Sequence, residues 1–195
     1  MTAVAGTGVQ AQQTSAIGFT AEAISDTMCL RAENSPRKLT LWLVNATNPE
    51  FGSEGSRVVR HVGGFELKFG GAQSILVTSV DFPIPATNTG TNKNLLVEYA
   101  VPQTVFADQT LILAEVWILA VVNNTLGNAC TEFSEQLELL PADGGTVPES
   151  MSFIDADDPE WPFVAAEANG AYAVYEYIQV ANEPETWGAV KALYR

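Results

Sequence analysis

Short segments in which apolar and polar residues alternate constrain the fold of this chain more than any other feature. Residues 38–46 read KLTLWLVNA, and residues 61–69 read HVGGFELKF, in which Phe65, Leu67 and Phe69 alternate with polar side chains. Alternation with a period of two places one set of side chains on each face of an extended strand. These segments therefore predict β-strands with one buried face.

Similar strand-like patterns recur along most of the chain, and turn-forming residues separate the segments. Further β-like runs are residues 16–23, 75–80, 95–101, 111–122, 136–140, 151–154 and 171–180. Clusters of Gly, Asn and Pro stand between them, for example at residues 48–49, 51–55, 88–90, 123–128 and 143–145. Many short strands separated by turn-forming residues predict an all-β fold, an antiparallel sandwich of two sheets. Residues 132–139 are left open as a helical turn or two.

The pattern divides the chain into a β-sandwich domain at residues 16–180, an N-terminal segment at 1–15 and a C-terminal tail at 181–195. The N-terminal residues MTAVAGTGVQAQQ are small and weakly apolar, and Val9-Gln10-Ala11 fits what signal peptidase accepts before its cut. The segment is either the end of a signal peptide or a flexible extension. The first alternative predicts a secreted protein, extracellular or periplasmic.

Charge narrows the range of partners. Across 195 residues the formal net charge is −14, and such a surface repels phosphate backbones and anionic lipids. The sequence therefore predicts that nucleic acid is not a partner. A membrane-spanning helix needs roughly 20 apolar residues. The longest apolar run in this chain, residues 111–122, is shorter than that and contains Glu115.

Two cysteines, Cys29 and Cys130, lie 101 positions apart, without CxxC spacing and with a single histidine, His61, in the chain. A zinc site needs three or four such ligands, so zinc is not expected. In an exported chain the pair predicts one disulfide, worth roughly 4–5 kcal/mol in the chain-entropy description. The alternative is two buried free thiols.

The last ten residues, TWGAVKALYR, have a different pattern. Thr186 is a suitable helix N-cap, and Trp187, Val190 and Leu193 fall on one helical face. The sequence predicts a short amphipathic tail. It either docks on the sandwich or is displayed to an export or surface-anchoring machine, and we expect display.

Residues 39–122 also resemble a known class of domain. The segments LTLWLVNATNP, VGGFELKF, ILVTSVDFP, LLVEYAV and DQTLILAEVWILAV resemble, in order and spacing, the cohesin-like branch of the carbohydrate-binding β-sandwich families. The resemblance implies a cohesin-like jelly roll. Phe69-Gly70-Gly71 stands where that family commonly has Tyr-Asp-Pro, so the resemblance concerns the scaffold and not a dockerin-binding face. The ending is similar to that of a group of exported bacterial proteins, which implies export.

No catalytic constellation is present in the sequence. His61 lies at a strand end without a nucleophile motif such as GxSxG, which predicts a solvated side chain and not a general base. Glu66, Glu98, Glu115 and Glu138 lie within alternating strands, where outward-facing positions are expected. The chain is therefore expected not to be an enzyme. The alternative is a carbohydrate-active enzyme with two carboxylates about 5–10 Å apart.

Two segments near the C-terminal end of the sandwich are candidate binding sites. Asp155, Asp157, Asp158 and Glu160 offer hard oxygen ligands for Ca²⁺, and no other cofactor is expected; the alternative is a solvated acidic loop.

Exposed aromatic residues, Trp161, Tyr175 and Tyr177, could form a platform for a ligand, or else pack on the sheet. The predicted function is an exported, non-catalytic binding or structural module, whose partner is a protein or a glycan on the cell surface.

Overall fold

A computed structural model describes residues 14–20, 28–31, 35–49, 56–71, 75–121, 135–169 and 172–175, with the backbone alone for 28–31, 135 and 172–175. Within these ranges the ordered elements are strands, and none of the residues is helical. The predicted all-β class is therefore confirmed. No helix among the described residues is long and apolar enough to cross a bilayer.

The strands follow one another in the order in which they are numbered. They are β1 Ala16–Gly18, β2 Met28–Arg31, β3 Pro36–Val44, β4 Thr47–Asn48, β5 Arg57–Val58, β6 His61–Gly71, β7 Ile75–Asp81, β8 Ala86–Asn88, β9 Asn94–Thr104, β10 Leu111–Ala120, β11 Glu135–Leu140, β12 Met151–Asp155, β13 Phe163–Asn169 and β14 Tyr172–Tyr175.

Hydrogen bonds join these strands into two layers that meet at β13. One layer contains β1, β3, β10 and β7; in the other, β6 pairs with β9 on one edge and with β12 and β11 on the other. Strand β13 pairs with β12 in the second layer and with β1 in the first, so the hydrogen-bonded path is continuous. The short ladder of β4 and β5 stands apart from this path.

The apolar faces of the two layers enclose the core. In β6 the alternating residues Phe65, Leu67 and Phe69 are buried, as the sequence predicts, and from the opposite layer Leu41 and Leu43 join the same cluster. Burial of apolar side chains on this scale is the main stabilising contribution in a domain of this size. The alternation of the sequence therefore sets which face of each strand lies inside.

Strand β10 departs from simple alternation because of a β-bulge. Its register against β3 shifts between Ile112 and Ala114, so that Leu113 is the extra residue and both Leu113 and Ala114 are buried. The carbonyl of Leu113 accepts a hydrogen bond of 2.7 Å from the hydroxyl of Tyr99 in β9, across the core. Burial raises the pKa of Tyr99, which keeps this hydroxyl a donor.

Two features of the strand arrangement differ from the sequence-based expectation. The ladders of β1 with β13 and of β14 with β2 are parallel, whereas an antiparallel sandwich was expected. Strand β13 was not predicted, because FVAAEAN is rich in Ala and carries Glu, which have low β-propensity. Residues 136–140, predicted as a β-like run although 132–139 stayed open as a helical turn or two, form strand β11 (Glu135–Leu140) between β6 and β14.

The close approach of β1 and β13 depends on a glycine. A Cβ atom at Gly18 would lie 2.3 Å from the carbonyl oxygen of Asn169, which no side chain could tolerate without a backbone shift. Asn169 is the last residue of β13 and is paired with Gly18. Gly18 is therefore one reason why the two layers can join at this edge.

Candidate functional site

A buried polar cluster lies where β12 ends and the turn of residues 156–162 begins. Asn48 of β4, Arg57 of β5, Asp155 and Asp158 form this cluster, which we call the Asp155 cluster. Asn48 and Asp155 are 2% and 0% exposed. The side chains come together because Asn48 is the ladder partner of Arg57, and both face the end of β12.

Asp155 is at the centre of the cluster. Its Oδ2 accepts hydrogen bonds of 2.6 Å from an Arg57 guanidinium nitrogen and 3.0 Å from Asn48 Nδ2, and its Oδ1 accepts one of 3.1 Å from the backbone N–H of Asp157. A buried carboxylate is tolerated only when it is paired and hydrogen-bonded. Arg57 and Asn48 meet that requirement.

Asp157 extends the network towards the surface. Its Oδ1 is 2.7 Å from His61 Nδ1, and its Oδ2 accepts a hydrogen bond of 3.2 Å from the His61 backbone N–H. Burial acts to raise the pKa of Asp157, but the His61 hydrogen bonds and the charges of His61 and Arg57 outweigh it, so the pKa lies below its ordinary value. His61, predicted to be a solvated strand-end residue, is half-exposed and holds this carboxylate.

Asp158 fixes the turn that follows. Its Oδ1 accepts hydrogen bonds of 3.1 Å from the backbone N–H groups of both Glu160 and Trp161. The backbone N–H of Asp155 closes the turn by donating to the carbonyl of Pro162 at 2.6 Å. The backbone of Trp161 is therefore held by buried groups, while its side chain remains 64% exposed.

The indole of Trp161 stands beside a surface concavity of about 140 Å³. We call it the Trp161 concavity; it is lined by Asn48, Pro49, Val147, Trp161, Phe163, Val164 and Ala165. Its lining is mainly apolar, and Asn48 belongs to the Asp155 cluster beneath it. The buried polar network and the exposed aromatic residue thus form one structural unit.

A second, wider concavity of about 360 Å³ lies along the β8–β9 edge. It is lined by Ile84, Pro85, Ala100, Val101, Pro102, Gln103 and Thr104. Val101 is as exposed as Trp161. This groove has no aromatic wall and no charged side chain in its lining, so it offers less for a ligand to recognise.

The four residues predicted to bind Ca²⁺ have different surroundings. Asp155, Asp157 and Asp158 all direct carboxylate oxygens at donors of the protein itself, whereas Glu160 is exposed. In the part of the chain that the structure describes, no group of three or more His, Cys, Asp or Glu side chains is arranged to hold a metal ion. The calcium site stays a prediction, and an ion would have to displace these donors.

Other predicted site residues are described only in part or not at all. Cys29 lies in β2 and Tyr175 ends β14, both with the backbone alone described. Cys130, Tyr177 and the tail residues Trp187, Val190 and Leu193 lie outside the described residues. The disulfide, the tyrosine platform and the tail therefore stay predictions.

Two of the four strand glutamates, Glu66 and Glu115, are engaged by other groups of the scaffold. Glu66 accepts hydrogen bonds of 2.7–2.9 Å from the backbone N–H and hydroxyl of Thr146 and from the hydroxyl of Ser152, and so holds the turn of residues 142–146. Glu115 pairs with Lys38 at 2.7 Å on the outer face of the other layer. Neither carboxylate is directed into a cleft.

Sequence reasoning missed Asn48 and Arg57. Asn48 was read as part of an Asn-Pro turn signal, and Arg57 follows a glycine-rich segment, so neither belongs to a recognisable motif. Their partners, Asp155 and Asp158, are 98–110 positions away. A usable signal was the density of acidic residues at 155–160, since buried carboxylates require a cation from elsewhere in the chain.

Comparison with known proteins gives likeness in structure alone. No protein-family model matches the chain, and no curated protein matches it. A non-cellulosomal cohesin from the archaeon Archaeoglobus fulgidus is similar over 90% of this chain and 98% of its own, at 14% identity and a TM-score of 0.47.

Two further solved structures are similar to the same extent. One is a cohesin module from a Clostridium perfringens family 33 glycoside hydrolase, with 10% identity, 84% and 98% coverage and a TM-score of 0.44. The other is the third ScaB cohesin of R. flavefaciens, solved with a group 1 dockerin, with 8% identity, 85% and 97% coverage and a TM-score of 0.46. All three of these solved structures are cohesin domains.

Proposed function

We propose that this chain is an exported, non-catalytic binding module that contacts a cell-surface protein or glycan through the Trp161 concavity. One observation carries the proposal: an indole that is 64% exposed is attached to a turn whose backbone is fixed by buried carboxylates. A fold by itself assigns no function, so the argument has to come from this site.

Exposure of this indole is costly unless a partner covers it. Tryptophan buries about 150–250 Å² when it is enclosed, and it is the residue type most enriched among residues that dominate binding energy. Because Asp158 already orders the backbone of Trp161, this turn loses little conformational entropy when a partner docks. An exposed, pre-ordered aromatic residue beside a concavity favours a binding surface.

A non-catalytic role fits the surroundings of the carboxylates. A glycosidase needs one carboxylic acid and one carboxylate facing the same bond. Glu66 is engaged by Thr146 and Ser152, and Glu115 by Lys38 in the other layer. These glutamates support the scaffold, which weighs against the alternative of a carbohydrate-active enzyme.

Export and the predicted disulfide belong to the same proposal. Cys29 is opposite Ala173, which is in turn opposite Gln136, so two strand spacings of about 5 Å separate Cys29 from Gln136. The six residue steps from Gln136 back to Cys130 can span roughly 20 Å. The chain is thus long enough to bring Cys130 to Cys29. Thiol labelling of the denatured, unreduced protein should find no free thiol; two labelled cysteines would contradict the bridge.

The tail and the calcium loop complete the proposal. If residues 186–195 are displayed, deleting them leaves the melting temperature unchanged and alters where the protein accumulates. A loss of several degrees with localisation intact shows that the tail belongs to the fold.

Calcium bound at residues 155–160 raises the melting temperature by mass action. Equal melting curves in EDTA and in millimolar calcium refute that site.

The binding surface is tested by measuring affinity for two sets of probes. Cellulose, chitin and peptidoglycan serve as glycans, and an array of synthetic peptides represents proteins. We expect Trp161→Ala to weaken the binding of at least one probe by about 30-fold, the loss typical of a dominant contact.

Phe106→Ala is the matched control, because Phe106 is also an exposed aromatic residue but lines neither concavity. It should leave affinity unchanged. If Trp161→Ala and Phe106→Ala behave alike for every probe, the Trp161 concavity is not the binding surface.

A further inference from the structure

We infer that the Trp161 concavity accepts an apolar side chain presented by a basic segment of a protein partner. This inference rests on the proposed function and makes it specific, because it commits the site to a protein and not to a glycan. Three observations on the described residues support it: the lining of the concavity, its size and the charges around it.

The lining favours an apolar group. Of the lining residues, Pro49, Val147, Trp161 and Phe163 offer hydrocarbon surface. The one polar side chain, Asn48, is 2% exposed, and its amide donates to Asp155 and Asp158. A sugar ring placed here would find few side-chain partners for its hydroxyl groups, and each unpaired hydroxyl costs roughly 1–3 kcal/mol on protein scales. An apolar side chain carries no such cost.

The size of the concavity limits its occupant to one side chain. A volume of about 140 Å³ corresponds to roughly four or five water molecules at about 30 Å³ each. A leucine or isoleucine side chain, with four heavy atoms, is of that order. Small concavities with a tryptophan wall are where single anchoring residues contribute most of the affinity of an interface.

The charges around the concavity select a basic partner. Glu160 precedes Trp161, Glu149 follows the lining residue Val147 by two positions, and Glu167 follows Ala165 by two positions on the outer face of β13; all three glutamates are exposed. Arg60 is also exposed and positively charged. Its backbone carbonyl accepts a hydrogen bond from the backbone N–H of Val105, the residue that follows β9.

Two basic residues of the adjoining network, Arg57 and His61, do not offset this negative charge, because each is paired with a carboxylate. Arg57 pairs with Asp155, and His61 with Asp157. The chain as a whole carries −14. Complementary charge at the rim of an interface accelerates association and selects partners, with strong dependence on salt.

Nonapeptides with one central residue and fixed flanks test this inference by calorimetric titration. The first has a central Leu flanked by Lys and Arg; the second replaces Leu by Ser in the same flanks; the third keeps Leu but has Asp and Glu flanks. Cellohexaose and chitohexaose are the glycan probes. The second peptide is essential because any basic peptide is attracted to a chain of net charge −14.

We expect the Leu peptide with basic flanks to bind at least tenfold more tightly than the Ser peptide, and the acidic peptide not to bind. Trp161→Ala should abolish the preference for Leu. Ala165→Phe, at an exposed lining position, should fill the concavity and do the same without removing Trp161. The double variant Glu160→Gln/Glu167→Gln should weaken binding a few-fold and reduce its salt dependence.

The remaining outcomes separate this inference from the proposed function. If a hexasaccharide binds and Trp161→Ala abolishes its binding, the site is a glycan site; the inference is overturned and the proposed function stands. Equal affinity for the Leu and Ser peptides also overturns it, since charge alone then explains binding. If Trp161→Ala changes the affinity of no peptide and no glycan, both the inference and the proposed function fall.

Discussion

The core between the two layers and the Asp155 cluster are both buried, but they are stabilised in different ways. The core consists of apolar side chains from nearly every long strand, and the contact of Tyr99 with Leu113 is a rare polar bond within it. The Asp155 cluster, in contrast, depends on a few bonds among charged and amide groups. Stability is thus shared among many residues in the core and concentrated in very few beneath Trp161.

The largest expected effect comes from removing a ring in the core. Phe153 is fully buried in β12 and is the ladder partner of Phe65. Phe153→Ala should lower the free energy of unfolding by roughly 3–5 kcal/mol, because it removes apolar contacts and leaves a cavity. Urea unfolding measures the loss. Phe106→Ala, at an exposed position, is the control, and an equal loss there would contradict the assignment of the core.

The cluster should respond strongly to the loss of a single partner. Arg57→Leu leaves the carboxylate of Asp155 buried beside an apolar side chain, at a cost of about 3 kcal/mol, the lower end for a broken buried pair, because Arg57 is 22% exposed. In the Asp155→Asn background the same substitution should cost at least about 1 kcal/mol less. Equal costs in the two backgrounds would mean that the Arg57–Asp155 pair contributes nothing.

The hydrogen bond of Tyr99 across the core should give a smaller effect. Tyr99→Phe preserves the ring and removes the hydroxyl that donates to the carbonyl of Leu113. The buried carbonyl then lacks its partner, which should cost about 1–3 kcal/mol. Denaturant unfolding measures the difference. A loss of less than about 0.5 kcal/mol would indicate that water or another donor replaces the hydroxyl.

The smallest expected effect is a change with pH at the edge of the cluster. The pKa of Asp157 is lowered in the folded protein, so its ionised form stabilises the fold above its unfolded pKa of about 3.9. That contribution is lost as the pH falls through the folded pKa. Asp157→Asn should therefore be less stable than the parent at pH 7, and the difference should shrink below about pH 4.

Added salt provides the control for the pH experiment. The Asp157 side chain is 29% exposed, so the difference between the parent and Asp157→Asn at pH 7 should decrease as salt screens the charges. A difference that is constant from pH 7 to pH 3 would show that His61 and Arg57 do not stabilise the ionised carboxylate.

The long strands with clear alternation are present in the structure, whereas β13 and several short strands were not predicted. Residues 38–46, 61–69 and 111–122 became β3, β6 and β10, because a strand with one buried face requires a period of two. Trp161 was also singled out from sequence, as an exposed aromatic residue whose face could stack on a ligand. Its position beside a concavity could not be predicted, because Asn48 and Val147 line that concavity from distant segments of the chain.

The sequence by itself therefore determined the β class, the buried face of the long strands and the acidic character of the 155–160 segment. Tertiary structure alone decided that Asn48 and Arg57 meet Asp155, that Leu113 bulges towards Tyr99, and that β13 joins the layers. The physical reason is the range of the interactions. Alternation is a local property of the backbone, whereas pairing of a buried charge depends on which distant segments the core brings together.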